Sequence, residues 1–263
     1  MLSFILISIA ISLAINIIGF LIAFRLKTDK LTDFSYALSF FIVNSIALIR
    51  SDNINLANII LLGAITLWAI RLGSYLVIRI KKWGRDRRFD EVRNKFFKFL
   101  QFWFFQGLTV GIVSISSLQF FKLNQSSELS VFSVVGLIIF IGGLITESFA
   151  DIQLFRFSNQ KQNKGKFIDE GLWSYSRHPN YLGEISVWLG LWIFTLGNIT
   201  KTQELIGFIS PLFIFLMIRF VSGVPKLEKS AKEKWGSQKE YQAYRKRTGN
   251  ILPKPHFNKS ANK

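Results

Sequence analysis

The residues best suited to chemistry lie in one short stretch of the chain, from Gly171 to Glu184, which reads GLWSYSRHPNYLGE. Pro179 suits the first turn of a helix, where its missing N–H would have no helical partner in any case. Asn180 and Glu184 are four residues apart, so they share one face of that helix. The apolar run 185–196 follows at once. An amide and a carboxylate at the edge of an apolar helix are therefore candidates for a ligand site.

Charged and polar side chains also interrupt other apolar segments. Ionisable groups inside a membrane span are costly, so each is a candidate for function. Several recur at four-residue intervals, which places them on one helix face. The candidates are Arg71, Tyr75 and Arg79 in one segment, Glu147 and Asp151 in a second, and Arg219 near the end of a third. With Glu184, three arginines and three carboxylates suit an anionic, hydroxyl-rich ligand, because Arg binds phosphate through two hydrogen bonds and carboxylates accept from hydroxyl or amide groups.

Each of these residues also has a purely structural interpretation. Arg71 and Glu147 could form a buried ion pair, and Arg79 could extend its guanidinium to the membrane surface while its stem stays in the apolar layer. His178, just before a proline, could cap or position a loop. The functional hypothesis therefore rests on the joint pattern of these residues.

The elements that must position these residues are membrane helices. Half of the 263 residues are hydrophobic and 27 are Phe, a composition that is unusual for a soluble domain. A span needs about 20 apolar residues to cross the hydrocarbon layer. By that criterion the sequence predicts seven spans, at about 2–24, 34–49, 55–80, 96–121, 130–155, 180–197 and 204–223. We expect an all-α, polytopic membrane protein, with a membrane domain over 1–223.

The Lys and Arg residues alternate between the two sides of these spans. The connections 25–33, 81–95 and 156–179 hold three, seven and five of them, the tail from 224 onward holds eleven, and each intervening connection holds one. The positive-inside rule then places the amino terminus outside and the tail in the cytoplasm, of a bacterial inner membrane in the simplest case. The polar candidates fall toward the cytoplasmic ends of their spans, which predicts a ligand cavity that opens to the cytoplasm.

Composition also narrows the classes of partner. No cysteine occurs, which excludes disulfides, thiolate catalysis and Cys-ligated zinc, and no other metal site is predicted. The net charge of +17 is spread between apolar runs, as in membrane loops, and does not indicate nucleic-acid binding. The basic connection 81–95 suits anionic membrane lipid. The tail, 224–263, places Leu227, Trp235 and Tyr241 at helical spacing among charges, which predicts an interfacial helix.

Four blocks of the chain resemble a known family. They are Trp68 to Arg88 (WAIRLGSYLVIRIKKWGRDRR), Glu147 to Arg156 (ESFADIQLFR), the GLWSYSRHPNYLGE stretch, and the closing Tyr241, Tyr244, Thr248 and Pro253. Together they resemble the steroid 5-alpha-reductase C-terminal-like family of bacterial membrane oxidoreductases, which are relatives of 3-oxo-5-alpha-steroid 4-dehydrogenases and sterol reductases. The resemblance covers residues 65–253, and its third block is the longest and most specific.

The resemblance implies a seven-helix reductase that takes NADPH from the cytoplasmic side and delivers hydride to an activated carbon–carbon double bond of a lipid-like substrate. By position, Asn180 and Glu184 match residues that hold the nicotinamide end of the cofactor. Asp151 matches an acid that faces the cofactor. The basic positions expected near the phosphates are Arg71, Arg79, Arg85 and Arg219, and Arg177 is a further cofactor-binding candidate.

One position departs from the family pattern. Where steroid reductases offer a Tyr that polarises the substrate carbonyl, this chain offers Trp68, whose indole N–H donates a hydrogen bond but is a poor acid. Tyr75, Tyr175 and His178 are the alternative proton donors, with bound water as a further source. Glu184 is counted with them as a catalytic candidate. The expected substrate is steroid-, sterol- or isoprenoid-like.

Two other functions remain open. Membrane methyltransferases of the isoprenylcysteine or phospholipid type also carry Arg-His-Pro and Tyr before a helix, and they use S-adenosylmethionine. Such enzymes usually have two adjacent Glu residues soon after the last span, where this chain has only Glu228. A non-enzymatic lipid-binding membrane protein is the second alternative.

Overall fold

The computed structural model describes residues 1–83, 89–90 and 92–254. Arg85, one of the predicted cofactor-binding residues, lies outside them. In the described part the chain forms helices and turns and no β-strand. Six segments are long and apolar enough to cross a membrane by length and composition. The prediction of an all-α, polytopic membrane protein is confirmed.

The helices follow one another along the chain with short connections. The long helices before residue 160 are α1 (Leu2–Arg25), α2 (Thr32–Ile49), α3 (Leu56–Trp83), α4 (Phe96–Val113), α5 (Ile115–Leu123) and α6 (Val131–Asn159). They are followed by α7 (Pro179–Phe194), α8 (Lys201–Gly207), α9 (Ile209–Leu216), a π-helical turn (Met217–Val221), α10 (Val224–Trp235) and α11 (Lys239–Arg247). Single 3₁₀ turns lie at Lys161–Asn163 and Gly171–Ser174.

The six candidate spans correspond to six of the seven predicted ones. They are α1, α2, α3, α4, α6 and the stretch Lys201–Trp235. The other predicted span, 180–197, contains α7, which has 16 residues. At about 1.5 Å per residue a helix of that length extends about 24 Å, which is less than the roughly 30 Å of a hydrocarbon core.

The predicted span 96–121 comprises two helices, α4 and α5, because the helix breaks at Ser114. The hydroxyl of Ser210 accepts a hydrogen bond from the backbone N–H of Ser116 at 3.1 Å and reaches the carbonyl oxygen of Ile112 at 3.5 Å. Ile112 and Ser116 would be partners in an unbroken helix. A side chain inserted into the helical hydrogen-bond ladder is a recognised cause of a kink.

The predicted span 204–223 is also interrupted, at Phe208 between α8 and α9 and again at the π-helical turn. Pro211 has no N–H to donate to the carbonyl of Gly207, so the helix cannot continue unbroken through this point. The indole N–H of Trp192 donates to the carbonyl oxygen of Glu204 at 2.8 Å. In the tail, the expected single interfacial helix is instead two helices, α10 and α11, separated by a turn at Gly236.

The chain divides into two compact units. Unit 1 comprises Met1–Ile138 and Leu189–Phe213. Its buried polar side chains bind one another: the amide of Gln106 donates to Asn16 Oδ1 at 2.8 Å and to the Thr32 carbonyl at 2.9 Å. Asn16 in turn donates to Ser39 Oγ at 3.1 Å. Such pairing removes most of the cost of burying amides in an apolar environment.

Unit 2 comprises Ile139–Trp188 and the chain from Ile214 onward, and it depends on a close approach of α6 and α7. A Cβ atom added to Gly183 would lie 2.6 Å from the backbone N of Glu147. A Cβ added to Gly143 would lie 2.7 Å from the backbone N of Val187. The two helix backbones therefore touch, as small residues allow in membrane helix packing.

We predict that Gly143→Ala destabilises the protein and that Gly142→Ala does not. Both changes favour the helix by about 1 kcal/mol in local propensity. Only the methyl group at position 143 would meet backbone atoms of α7, whereas nothing lies within 4 Å of a Cβ at position 142. Overpacking of this kind costs about 1–3 kcal/mol. Thermal unfolding in detergent would measure the difference, and equal midpoints for the two variants would contradict the proposed crossing.

Candidate functional site at the start of α7

The loop before α7 is held against α6. Gly171 has a φ of +59°, in the left-handed region that glycine adopts without strain. A side chain there would also meet the amide of Gln153, whose Oε1 accepts the backbone N–H of Leu172 at 3.0 Å. The indole N–H of Trp173 donates to the carbonyl of Ala150 at 3.1 Å. These contacts fix the point at which α7 begins.

A segment near the carboxyl terminus forms hydrogen bonds with the same loop. The carbonyl of Tyr175 accepts backbone N–H groups from Gly249 at 3.0 Å and Lys254 at 2.9 Å. Arg177 donates its backbone N–H to the carbonyl of Gly249 at 2.9 Å. The hydroxyl of Ser176 donates to the carbonyl of Ile251 at 2.7 Å. We call residues 248–254 the C-terminal strap.

A buried tyrosine adds to this attachment. The phenol of Tyr244 donates to the carbonyl of Trp173 at 2.8 Å. Burial raises the pKa of this phenol above its ordinary value, because the charged phenolate is poorly solvated there. Tyr244 is thus a neutral donor at any physiological pH.

The carboxylate of Glu228 on α10 binds several basic side chains at once. It accepts a hydrogen bond from Arg177 Nε at 2.8 Å, lies 3.0 Å from His178 Nε2 and lies 3.4 Å from Arg245. The Nη1 atom of Arg177 also donates to the carbonyls of Arg245 and Thr248. The structure therefore places Arg177, a predicted cofactor-binding residue, on Glu228 and the strap.

An amide and two carboxylates meet where α6 and α7 cross. Asn180 Nδ2 donates to Asp151 Oδ1 at 3.2 Å. Asp151 and Glu147 are both buried, at 7% and 5% exposure, and Glu147 lies against Gly183. The structure thus brings Asp151, Glu147 and Asn180 together in unit 2. Glu184 is one turn further along α7 and accepts the indole N–H of Trp188 at 2.9 Å.

The orientation of the Asn180 amide follows from its partner. Asn180 Nδ2 faces Asp151 Oδ1, which is the orientation that an acceptor-only carboxylate requires. Asn180 Oδ1 is buried and has no hydrogen-bond partner among the described residues. Buried acceptors of this kind are rare and call for a ligand or water. The start of α7 therefore offers a fixed acceptor to a ligand that carries a donor.

The predicted residues of α3 belong to unit 1, where their contacts are different. The Arg71 guanidinium lies 5.8 Å from the centre of the Tyr75 ring, within the range of a cation–π interaction. Arg79 forms an ion pair with Asp33 at 3.2 Å. Trp68 is fully buried, with its ring centroid 5.0 Å from that of Phe40, which is a packing position.

The remaining predicted residues are more exposed. Tyr175 is 48% exposed, and its backbone carbonyl serves the strap. Arg219 lies in the π-helical turn with its guanidinium 5.1 Å from the centre of the Phe220 ring. Single π-helical turns often occur at functional sites. Within the described ranges, no group of three or more His, Cys, Asp or Glu residues could hold a metal ion.

Sequence reasoning did not identify Glu228 or Asp33 as partners of the predicted arginines. Glu228 was noted only as the single Glu of the methyltransferase pattern, and its place in a Lys-rich amphipathic helix suggests solvent exposure. Asp33 lies in the first turn of α2, where an acidic residue is also explained by the helix dipole. The residues that neighbour Glu228 and Asp33 in sequence do not indicate which arginine each of them binds.

Unit 1 also holds an apolar groove between α2 and α3, with a volume of about 560 Å³. Its wall is formed by apolar side chains together with Gly73, Thr66 and Ser74. The lining suits hydrocarbon.

Comparison with known proteins identifies one family. A family model described as "Protein of unknown function (DUF1295)" matches residues 19–248. No curated protein and no solved structure matches the chain.

We predict that Glu228→Ala loosens the C-terminal strap. Arg177 would lose its carboxylate partner while its side chain stays 11% exposed, and leaving such a group unpaired costs about 1–3 kcal/mol. Tryptic cleavage after Arg245 or Arg247 should then become faster. Glu233→Ala, at an exposed position of the same helix, is the matched control. Equal cleavage rates in the two variants would show that Glu228 does not hold the strap.

Proposed function

We propose that this chain, which belongs to the DUF1295 family, is a membrane-embedded, NADPH-dependent reductase of the steroid 5-alpha-reductase-like type. It would transfer hydride to an activated carbon–carbon double bond of a lipid-like substrate. The observation that carries this proposal is the buried acceptor Asn180 Oδ1 beside Asp151. This acceptor lies in the stretch of the sequence that most resembles the reductases.

The residues at the start of α7 fit the carboxamide of a nicotinamide. That group presents two N–H donors, and Asn180 Oδ1 is an acceptor held in place by Asp151. Glu184, on the same face of α7, is a second acceptor for the carboxamide. When bound, NADPH would supply the hydride. Residues that hold the carboxamide fix the orientation of the ring, and fixed orientation is a large part of what a protein adds to such a cofactor.

The phosphate groups need cationic partners. The proposed ones are Arg71, Arg79 and Arg219, with Arg85 outside the described residues. Arg79 is already paired with Asp33 and Arg177 with Glu228, so these two guanidiniums would have to share or exchange partners. Arg177 is better explained by its contacts with the strap.

The reduction also needs a proton. Tyr75, Tyr175 and His178 are the candidate donors, and each is placed differently. Tyr75 lies beside the Arg71 guanidinium. Tyr175 is half exposed, whereas His178 is buried and bonded to Glu228.

The apolar groove of unit 1 supports a substrate with steroid, sterol or isoprenoid character.

The proposed topology places the amino terminus outside and the tail in the cytoplasm, in a bacterial inner membrane. An odd number of crossings is required, so α7 must count as a crossing despite its 16 residues. The Lys and Arg distribution supports this arrangement, and a cofactor cavity open to the cytoplasm would follow from it.

The nearest alternative is a methyltransferase that uses S-adenosylmethionine. Such enzymes usually have two adjacent Glu residues after the last span. The single Glu228 found there is engaged by Arg177, His178 and Arg245, so its contacts are explained without a ligand. A non-enzymatic lipid-binding protein would use the groove of unit 1 but would leave Asn180 Oδ1 unexplained.

We predict that the purified protein in detergent binds NADPH at least tenfold more tightly than S-adenosylmethionine. A tenfold ratio corresponds to about 1.4 kcal/mol, a modest contribution for the arginines expected to contact the phosphates. Titration calorimetry or the fluorescence of bound NADPH would measure both affinities. A preference for S-adenosylmethionine would reject the reductase.

We also predict that Asn180→Ala and Glu184→Gln each abolish hydride transfer while the protein stays folded. Asn180→Ala removes an acceptor, and Glu184→Gln leaves one acceptor oxygen, which the Trp188 indole already uses, so in both variants the ring would no longer be held in a reactive orientation. The measurement is NADPH oxidation with a panel of α,β-unsaturated ketones that have steroid, sterol or isoprenoid skeletons. Asn198→Ala, in the loop after the same helix, is the control. Wild-type turnover in both site variants would refute these assignments.

A further inference from the structure

His178 is a buried ring with one nitrogen engaged and one without a partner. The side chain is 5% exposed, and its ring is stacked on Tyr181 with centroids 5.5 Å apart. Nε2 lies 3.0 Å from Glu228 Oε1. Nδ1 is buried and has no hydrogen-bond partner among the described residues. The ring is therefore held by Glu228 on one side and presents an unmatched nitrogen on the other.

The contact with Glu228 decides which nitrogen carries the proton. An ionised carboxylate can only accept hydrogen bonds, and Glu228 is surrounded by the guanidiniums of Arg177 and Arg245, which favour its ionised form. The Nε2 atom of His178 must therefore be the donor. In the neutral ring, Nδ1 is then left as an acceptor.

A second acceptor without a partner lies two residues away, at Asn180 Oδ1. The first turn of a helix usually attracts anions through its N–H groups. Here the unmatched side-chain atoms are both acceptors, and the buried carboxylate of Asp151 accepts from Nδ2 of the same Asn180 side chain. This combination disfavours a phosphate and selects a ligand group that carries N–H or O–H donors.

We propose that His178 Nδ1 is a second ligand contact, which accepts a hydrogen bond from an O–H or N–H group of the bound ligand. Glu228 is the positioning residue that sets the tautomer, and in this role His178 is not the proton donor of the reduction. The donor comes either from the amide or ribose hydroxyls of the nucleotide, or from a hydroxyl of the lipid-like substrate. Only the first source rests on the proposed reductase function. The dinucleotide phosphates would bind elsewhere.

The chain has only two histidines, which makes a direct test practical. In the variant His256→Gln, labelled with ¹⁵N-histidine, every imidazole signal in a two-bond ¹H–¹⁵N spectrum comes from His178. We expect the shifts of a ring with the proton on Nε2. NADPH is added to one sample and dodecanol to another, and dodecane is the control for dodecanol. We expect the ¹⁵N resonance of Nδ1 to move upfield with NADPH, with dodecanol, or with both.

Each outcome of this experiment has one meaning. A proton on Nδ1 would overturn the proposal. An Nδ1 resonance that neither NADPH nor dodecanol moves would also overturn it and would indicate that Nδ1 binds only water. NADPH that binds by fluorescence without moving Nδ1, together with no response to dodecanol, would overturn this inference and leave the reductase standing. NADPH that does not bind would reject the reductase, while the dodecanol sample would still test His178.

Two substitutions of His178 distinguish the role of Nδ1 from that of Nε2. His178→Gln retains a donor that can reach Glu228 but removes the acceptor at the δ position. We expect it to fold and to bind the responding ligand about fivefold more weakly, as the loss of one net hydrogen bond predicts. His178→Asn retains an acceptor near the δ position and should recover part of that affinity. Unchanged affinity in His178→Gln would contradict a contact at Nδ1.

Discussion

The contact between the backbones of α6 and α7 at Gly143 and Gly183 sets the distances on which the candidate site depends. Asp151 lies two turns beyond Gly143 on α6, and Asn180 lies about one turn before Gly183 on α7. Only glycines allow the helices to approach so closely that a Cβ would be 2.6 Å from a backbone nitrogen. At that separation a short carboxylate reaches a short amide, and Asn180 is oriented by Asp151 without a bridging water.

The C-terminal strap adds hydrogen bonds to the loop that precedes α7. The Glu228 carboxylate contacts the side chains of Arg177, His178 and Arg245. Tyr175 binds the strap through its backbone carbonyl, and Ser176 binds it through its hydroxyl group. The Arg-His-Pro part of the motif is thereby divided between two tasks. Arg177 binds the strap, whereas His178 and Asn180 each keep one buried acceptor atom without a partner among the described residues.

Each unit holds both satisfied and unsatisfied buried polar groups, and in unit 1 Ser45 Oγ, Trp103 Nε1 and Gln119 Oε1 have no hydrogen-bond partner among the described residues. In unit 1, Asn16, Ser39 and Gln106 satisfy one another, and Asn44 donates to Ser114 Oγ at 3.2 Å. In unit 2, the acceptors His178 Nδ1 and Asn180 Oδ1 remain unmatched. A buried unmatched acceptor costs about 1–3 kcal/mol, so a protein retains such groups where a ligand supplies the missing hydrogen bond. His178 Nδ1 and Asn180 Oδ1 stand out because they lie two residues apart at the start of α7.

The approximate positions of six candidate spans and the shared face of Asn180 and Glu184 were determined by the sequence alone, because the length of apolar runs and the helical repeat are local properties. Composition likewise excluded thiol chemistry. Other features depended on partners far along the chain. The break at Ser114 requires Ser210, which lies 94 residues from the N–H that it binds, and the role of Arg177 requires Glu228, 51 residues away. Only the tertiary structure decided these pairings and left His178 Nδ1 and Asn180 Oδ1 without partners among the described residues, because a side chain's hydrogen-bond partner is chosen by packing and not by its neighbours in sequence.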